Sequence, residues 1–278
     1  MKKYVFIDID GTLFDHQHHE VPQSALAALK QAKENGHELF ICTGRPKPVV
    51  ESSYLKLPIS GVVYAGGTHI ELDGKVIYQG QFPYDRLCEI VDYMQENDIE
   101  FTLEGAQRNY YSKKCYERFK GYFCAKGGSD NELAVRFNDP SLICMFEDFS
   151  KEDAAQVAKV DLFAKNDERI RTYIQNLPAG VEGFLYNENV GEIIEGEILI
   201  AGISKASGID RVLEYFGADL RDTIAIGDST NDLAMIRHAA VGIAMGNASD
   251  EVKSVADMIT TDIDQDGLYN AFKNAGLI

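Results

Sequence analysis

The sequence contains no stretch near the roughly 18 uninterrupted apolar residues that a membrane-spanning helix needs. Its opening, Met1-Lys2-Lys3 and an apolar run that meets Asp8, is too short for a signal-peptide core and predicts no targeting prefix. Cysteine is scarce: Cys42, Cys88, Cys115, Cys124 and Cys144 are odd in number and lack CxxC spacing, so they read as reduced thiols of a cytoplasmic protein. Basic residues are few as well, 27 Lys and Arg against 44 Asp and Glu, for a formal net charge of −17. That field repels polyanions and argues against a nucleic-acid backbone or an anionic membrane as partner. Pro/Ser-rich linkers, internal repeats and low-complexity segments are missing too.

What is present is ordinary globular composition, 45% apolar and 26% charged, on 278 residues. That length is generous for one domain and comfortable for two, with about three quarters of the extended-chain surface buried on folding. The first third alternates short apolar runs with amphipathic segments, the pattern of a parallel sheet with crossovers. Strands are expected at Tyr4–Ile9, Leu39–Cys42 and Gly61–Tyr64, with a helix opened by Pro22 and closed by Gly36, and another after Pro46. His69–Tyr78 predicts a hairpin turning on Asp73-Gly74. The last third resumes the rhythm. Ile209, Val212, Leu213 and Phe216 mark a helix, strands follow at Thr223–Ile226 and Val241–Ala244, and helices at Asp232–Ala239, Asp250–Ala256 and Gln265–Asn274. The middle has a different texture, with a helix through Leu87, Ile90, Val91 and Met94 and a hairpin around Gly105. The expected architecture is therefore α/β: a Rossmann-like parallel-sheet core from residues 1–81 and 192–278, interrupted by an α+β domain from 82 to 191.

Four segments place carboxylates and small polar residues where parallel strands should end, which is where open α/β sheets bind ligands. In Asp8-Ile9-Asp10-Gly11-Thr12, two carboxylates lie two residues apart on an extended chain and face one way. Their repulsion would be relieved by a hard divalent cation such as Mg²⁺. One could then act as nucleophile and the other as acid/base; the plainer alternative is a strand ending in a polar turn. In Cys42-Thr43-Gly44-Arg45-Pro46, Gly44 permits close backbone approach and Arg45 offers a bidentate donor for phosphate, or the segment is simply a turn. Lys205 stands at a helix start, where lysines are ordinarily solvated and where the dipole disfavours a cation. The position makes sense if Lys205 lies between a carboxylate and a transferring phosphoryl group. In Gly227-Asp228-Ser229-Thr230-Asn231-Asp232, one carboxylate can ligate a metal and the other can order its neighbours, or Asp232 is only a helix cap.

These four segments in this order resemble the haloacid dehalogenase superfamily of phosphohydrolases, and more narrowly its Cof-type branch (type IIB), which carries a large α/β cap after the third core strand. The resemblance covers residues 4–80 and 197–275, including VGIAMGNASDEVKSVAD at Val241–Asp257. It implies that Asp8 attacks phosphorus to form an aspartyl-phosphate, while Asp10 protonates the leaving group and then activates water. It also implies Mg²⁺ on the Asp8 carboxylate, the Asp10 main-chain carbonyl and Asp228. Thr43, Gly44, Arg45, Lys205 and Asn231 would bind phosphate, and Asp232 would order Lys205 and the metal shell. The implied activity is hydrolysis of a small phosphorylated metabolite, a sugar phosphate or similar monoester, in the cytoplasm. The alternatives are a phosphosugar mutase and a non-catalytic receiver-like phospho-acceptor, the latter disfavoured by length. The chain departs from the pattern at Tyr64-Ala65-Gly66-Gly67, where many relatives place an Asn first.

Other signals are weaker. His16, His18 and His19 lack the carboxylate or Cys partners of a transition-metal site and read as solvated. Asp262–Gly267 opens like a calcium loop, but its twelfth position is Lys273 rather than Glu. Ser112–Lys120 is a basic, aromatic island in an acidic chain, either a solvated face with interleaved core residues or an attractor for anions. Asn247-Ala248-Ser249 matches a glycosylation sequon that a cytoplasmic chain would not use.

Overall fold

Tyr4–Ile7 (β1), buried along its whole length, is an inner strand of an eight-stranded sheet. On one side of it lie Thr223–Gly227 (β12), Val241–Ala244 (β13) and Met258–Ile259 (β14). On the other lie Glu38–Cys42 (β2), Gly61–Tyr64 (β3), His69–Leu72 (β4) and Lys75–Gln79 (β5). The computed structural model describes residues 1–125, 139–186 and 192–278 of the chain. All pairings from β14 through β3 are parallel, and β4 returns antiparallel to β3. Parallel strands with helical crossovers are buried on both faces, which is why these runs read as continuously apolar rather than alternating. Phe6, Phe40, Val63 and Ala225 meet Ile209, Val212 and Leu213 of the helix Lys205–Phe216 in one core.

Register positions the site. Ile7 stands opposite both Ile41 of β2 and Ile226 of β12. The chain therefore leaves three adjacent strands at one level, and Asp8, Thr43 and Asp228 emerge along the same edge. The parallel α/β core expected from the sequence is found. β1 closes at Ile7, so Asp8 and Asp10 lie in the turn beyond it.

One expected helix is not there. After Pro46 the chain makes short 3₁₀ turns at Lys47–Val49 and Tyr54–Lys56. Pro48 removes an amide from the first turn, and Val50 is already extended, so no helix propagates. The chain divides into two units. One comprises Met1–Arg45, Ser52–Tyr78 and Ile203–Ile278; the other comprises Pro46–Glu51 and Gln79–Gly202. The second unit carries Glu100–Gly105 (β6), Asn109–Tyr111 (β7), Ile143–Met145 (β8), Val157–Lys165 (β9), Val181–Tyr186 (β10) and Ile193–Ile200 (β11). They form a six-stranded sheet in the order β10-β11-β9-β6-β7-β8. Because β11 pairs along its length with β9 and β10, this unit holds the chain past residue 191, which itself lies outside the described residues. The helices Tyr84–Glu96 and Glu168–Gln175 contribute Leu87, Ile90, Met94 and Ile170 to its core. The basic island at Ser112–Lys120 falls mostly on the helix Lys113–Ala125. There Cys115 is buried, while Lys114 pairs with Asp98 and Arg118 with Glu100.

Helix Lys205–Phe216 is seated unusually close to the sheet edge. Ser204 caps it with a reciprocal bond to Ser207, and Gly217 closes it in the left-handed conformation. A Cβ on Gly208 would lie 2.6 Å from Val63 Cγ1. Gly67, at φ +105°, has no room at all, since a Cβ there would sit 2.3 Å from the Ser204 carbonyl oxygen. Gly208→Ala is expected to cost about 1–3 kcal/mol by overpacking. Gly67→Ala is expected to cost more, because strain at positive φ adds to the clash. Urea denaturation checks both, and wild-type midpoints would show that the helix seat is not tight.

Candidate active site

β1 delivers Asp8 to the sheet edge with its amide bonded to the Ile226 carbonyl at 3.1 Å. Its Oδ1 accepts from Lys205 Nζ at 2.6 Å. Lys205, the first residue of its helix, also donates to Asp232 Oδ1 at 2.5 Å and to Asn231 Oδ1 at 3.3 Å. Its side chain is only 2% exposed. The solvated lysine ordinarily found at a helix start is thus replaced by a buried ammonium held by three oxygen acceptors. Asp232 is fully buried, and its second oxygen receives the amides of Asp228 and Ser229, each at 3.0 Å. Both of its oxygens are engaged in ordering Lys205 and the Asp228 loop. Gly227 makes that loop possible, because a Cβ there would lie 2.5 Å from Asp232 Cγ.

Asp228 faces the first motif. Its Oδ1 accepts from Thr12 Oγ1 at 2.8 Å, and a Cβ on Gly11, at φ +80°, would meet Asp228 Oδ2 at 2.3 Å. Asp8, Asp228 and Asp232 each offer an oxygen within 4.8 Å of the others. Among the described residues these three carboxylates are faced by one ammonium, a formal surplus of two negative charges. Burial, then the neighbouring Asp232 charge, pushes the Asp8 carboxyl well above its usual range, with Lys205 opposing. Asp228 is pushed up to about 6, chiefly by burial, against the pull of its Thr12 bond. Burial acts to lower the Lys205 pKa, but Asp232 and Asp8 outweigh it and hold the ammonium firmly charged. An all-oxygen donor set with a double negative surplus suits a hard divalent cation. Asp8 and Asp228 are the carboxylates with an oxygen to offer it.

Asp10 looks elsewhere. Its Oδ2 accepts from Arg45 Nε at 2.8 Å, and its Oδ1 from Arg45 Nη2 at 2.5 Å. His16 Nε2 shares Oδ1 at 2.8 Å. Burial pushes this carboxyl up, but the His16 and Arg45 bonds outweigh it and hold Asp10 well below the usual carboxylate range. Arg45, expected from the sequence on phosphate, is therefore engaged with Asp10. Thr43 is buried, and its Oγ1 accepts the Arg45 amide at 3.1 Å, which leaves the hydroxyl proton to donate. Gly44 lies beside Asn231, whose Nδ2 would be 3.4 Å from a Cβ at that position.

The structure thus gathers Asp8, Lys205, Asp228, Asn231 and Asp232 into one cluster and pairs Asp10 with Arg45. Three features escaped sequence reasoning. Thr12 stands inside the quoted motif, yet its hydroxyl had no assigned partner. The histidine cluster divides, with His16 on Asp10 and His18 on Asp15. Asn247 donates to the Gly11 carbonyl at 2.8 Å and accepts the Ile263 amide at 3.0 Å, tying the first motif to a C-terminal loop. The departure at Tyr64-Ala65-Gly66-Gly67 has a local logic. Ala65, Gly66 and Gly67 all take positive φ, and the turn hangs from the Thr43 and Arg45 carbonyls.

The model of the haloacid dehalogenase-like hydrolase family matches residues 5–272. The chain is 29% identical to phosphatase YwpJ of Bacillus subtilis over 298 residues, covering 98% of this chain and 99% of that one. It is 26% identical to 5-amino-6-(5-phospho-D-ribitylamino)uracil phosphatase YitU of the same organism, covering 97% and 96%. Among solved structures, the subclass IIB sugar phosphatase BT4131 superposes with a TM-score of 0.80 at 28% identity, covering 99% of this chain and all of that one.

The raised carboxyl of Asp228 fixes a pH dependence. Below about pH 6 a proton competes with a cation for this group, so divalent-cation affinity is expected to fall as pH drops through that range. The same shift is a stability cost in the metal-free protein. Asp228 is ionised against its surroundings above about pH 6, and the cost fades as pH falls toward its ordinary carboxylate value. Asp228→Asn is thus expected to stabilise the chelator-treated protein at pH 7 by about 1–2 kcal/mol, while abolishing cation binding. Calorimetric titration with Mn²⁺ and chemical denaturation between pH 4 and about 7.5 check both signs. A less stable variant would refute the crowding of the three acids.

Proposed function

The chain belongs to the haloacid dehalogenase-like hydrolases and is a phosphatase of that family, and on that footing we propose how it works and on what. The substrates are small phosphate monoesters, sugar phosphates or related phosphometabolites, cleaved with Mg²⁺ through a phosphoryl group carried on Asp8. The observation that carries this reading is the cluster of Asp8, Asp228 and Asp232 around Lys205 at the sheet edge, with a formal surplus of two negative charges among the described residues.

Asp8, whose Oδ1 is held by Lys205, is the carboxylate assigned to phosphorus. It attacks, the bond from phosphorus to the ester oxygen breaks, and that oxygen leaves with a proton from Asp10. Asp10 is held as a carboxylate here, so this proton comes first from the substrate or from solvent. Water then attacks the phosphorus of the acyl phosphate, Asp10 takes its proton, and orthophosphate leaves with Asp8 restored. Lys205, Thr43, the Gly44 amide and Asn231 are the donors assigned to the transferring oxygens, and Asp232 keeps Lys205 in place. Bound Mg²⁺, on the carboxylates of Asp8 and Asp228 and the Asp10 main-chain carbonyl, would neutralise the phosphoryl oxygens as charge shifts.

The second unit is the proposed cap and the source of substrate discrimination. The uracil and sugar phosphatases that match the whole chain bear different substrates in their names, which supports placing choice of substrate outside the shared motifs. Family membership sets aside a receiver-like phospho-acceptor. The five cysteines form no disulfide, which supports a reducing, cytoplasmic setting. Among the described residues no helix is long and apolar enough to cross a membrane.

Purified protein with Mg²⁺ is expected to release orthophosphate from part of a phosphometabolite panel. Asp8→Asn should lower kcat by about 10³-fold or more while keeping a cooperative melt. Isotopic oxygen from water should enter the orthophosphate, whereas a mutase would return the phosphoryl group to a sugar. Full activity in the variant, or turnover indifferent to divalent cations, would overturn the mechanism.

A further inference from the structure

Arg45 and Asp10 are unequal partners. The Arg45 side chain is 4% exposed and that of Asp10 37%, so the guanidinium lies behind the carboxylate. Arg45 is also fixed along its main chain: its amide donates to Thr43 Oγ1 at 3.1 Å and its carbonyl accepts the Ala65 amide at 2.9 Å. Two of its donors, Nε and Nη2, address the two oxygens of Asp10. That side-on fork sets the plane of the carboxylate as well as its position, which one point charge would not do. His16 differs in each respect. Its side chain is 55% exposed, it sits on a loop, and on Asp10 it meets Oδ1 at 2.8 Å, with the Phe14 ring edge-on at 5.2 Å. Parting Arg45 from Asp10 would strand the buried guanidinium, whereas the bond from His16 to Asp10 is exposed and can be exchanged for one to water.

We propose that Arg45 is a positioning residue that orients the carboxylate of Asp10, rather than a phosphate ligand, and that His16 occupies the place on Oδ1 which the leaving-group oxygen takes during turnover. The inference rests on Asp10 being the group that exchanges protons with the substrate. Orientation matters most where the leaving group needs a proton. An alkoxide needs one; a nitrophenolate leaves without it.

The experiment compares an alkyl phosphate from the active panel with p-nitrophenyl phosphate, in Arg45→Lys and Arg45→Ala, under Mg²⁺ saturation. Arg45→Lys keeps the charge and one bond if the alanine variant folds poorly. For the alkyl ester, kcat should fall about 10²–10³-fold in Arg45→Ala and less in Arg45→Lys. The first-turnover burst of nitrophenolate should fall less than about fivefold, with slow turnover after it because water activation also uses Asp10. Inhibition by orthophosphate should shift less than about threefold, since uniform phosphate binding is untouched. His16→Ala should raise kcat/KM for the alkyl ester about two- to fivefold by removing a competitor for Oδ1. Equal losses for both esters, or a tenfold or greater weakening of orthophosphate, would make Arg45 a phosphate ligand and overturn the proposal. So would wild-type kinetics in Arg45→Ala, or a loss of kcat/KM in His16→Ala. Asp10→Asn, run alongside, separates the premise from the inference: undiminished turnover there would fail the acid/base assignment itself, whatever Arg45 does.

Discussion

Lys205 Nζ, 2.6 Å from Asp8 and 2.5 Å from Asp232, is the contact on which the rest of the site depends. A buried ammonium is costly, and at the N-terminal end of a helix it also opposes the backbone dipole. Two carboxylates and the Asn231 amide oxygen offset both costs, but only if the helix start reaches the sheet edge. That distance is set by uncharged neighbours. Gly208 lets the helix lie on Val63, Gly67 lets the turn after β3 touch Ser204, and the Ser204 cap fixes where the helix begins. Packing of small residues thus becomes placement of a charge.

The acidic residues separate into two environments. Asp8 and Asp228 are crowded by a third acid and by burial, and their carboxyls are pushed up. Asp10, two residues from Asp8, has turned to Arg45 and His16 and is pushed down. Pairs of like groups driven apart in this way are how one site assigns different tasks to the same side chain. The crowded group has reason to bind a cation or phosphorus. The clamped group keeps its charge and its orientation, which suits receiving a proton from water.

Much of this was legible in the sequence, and the parts that were not share a cause. Strand ends, the two aspartate motifs, Lys205 and the inserted second unit all leave local signatures: apolar runs, spacing of two, a change of texture. The helix expected after Pro46 failed because Pro48 and Val50 outweigh the general rhythm of an α/β chain. The return to the first unit lies after Gly202 because pairing of β11 is a long-range matter with no linker to mark it. Arg45 illustrates the limit best. Its residue type and its place after β2 point to an anion, and it did find one, but the anion is Asp10. Which of several nearby anions an arginine meets is decided by the loop after β1, whose His16 and Phe14 carry no periodic pattern. Thr12 and Asn247 were visible as letters, and their partners, 216 and 236 residues away, were not.

That arginine also resolves the puzzle of an acidic protein acting on an anion. At −17 overall the chain repels phosphate, and a free Arg45 would have been a natural local remedy. With Arg45 neutralised by Asp10, the fixed positive charge in the acidic cluster among the described residues is Lys205, outnumbered by three carboxylates. A phosphate dianion meeting that surplus would be turned away. In the proposed mechanism the same surplus would draw in a divalent cation, and the cation would reverse the sign of the field where the phosphoryl group sits. On this reading the excess acid is the means by which the site acquires its positive charge, and dependence on a metal follows from charge balance within the site.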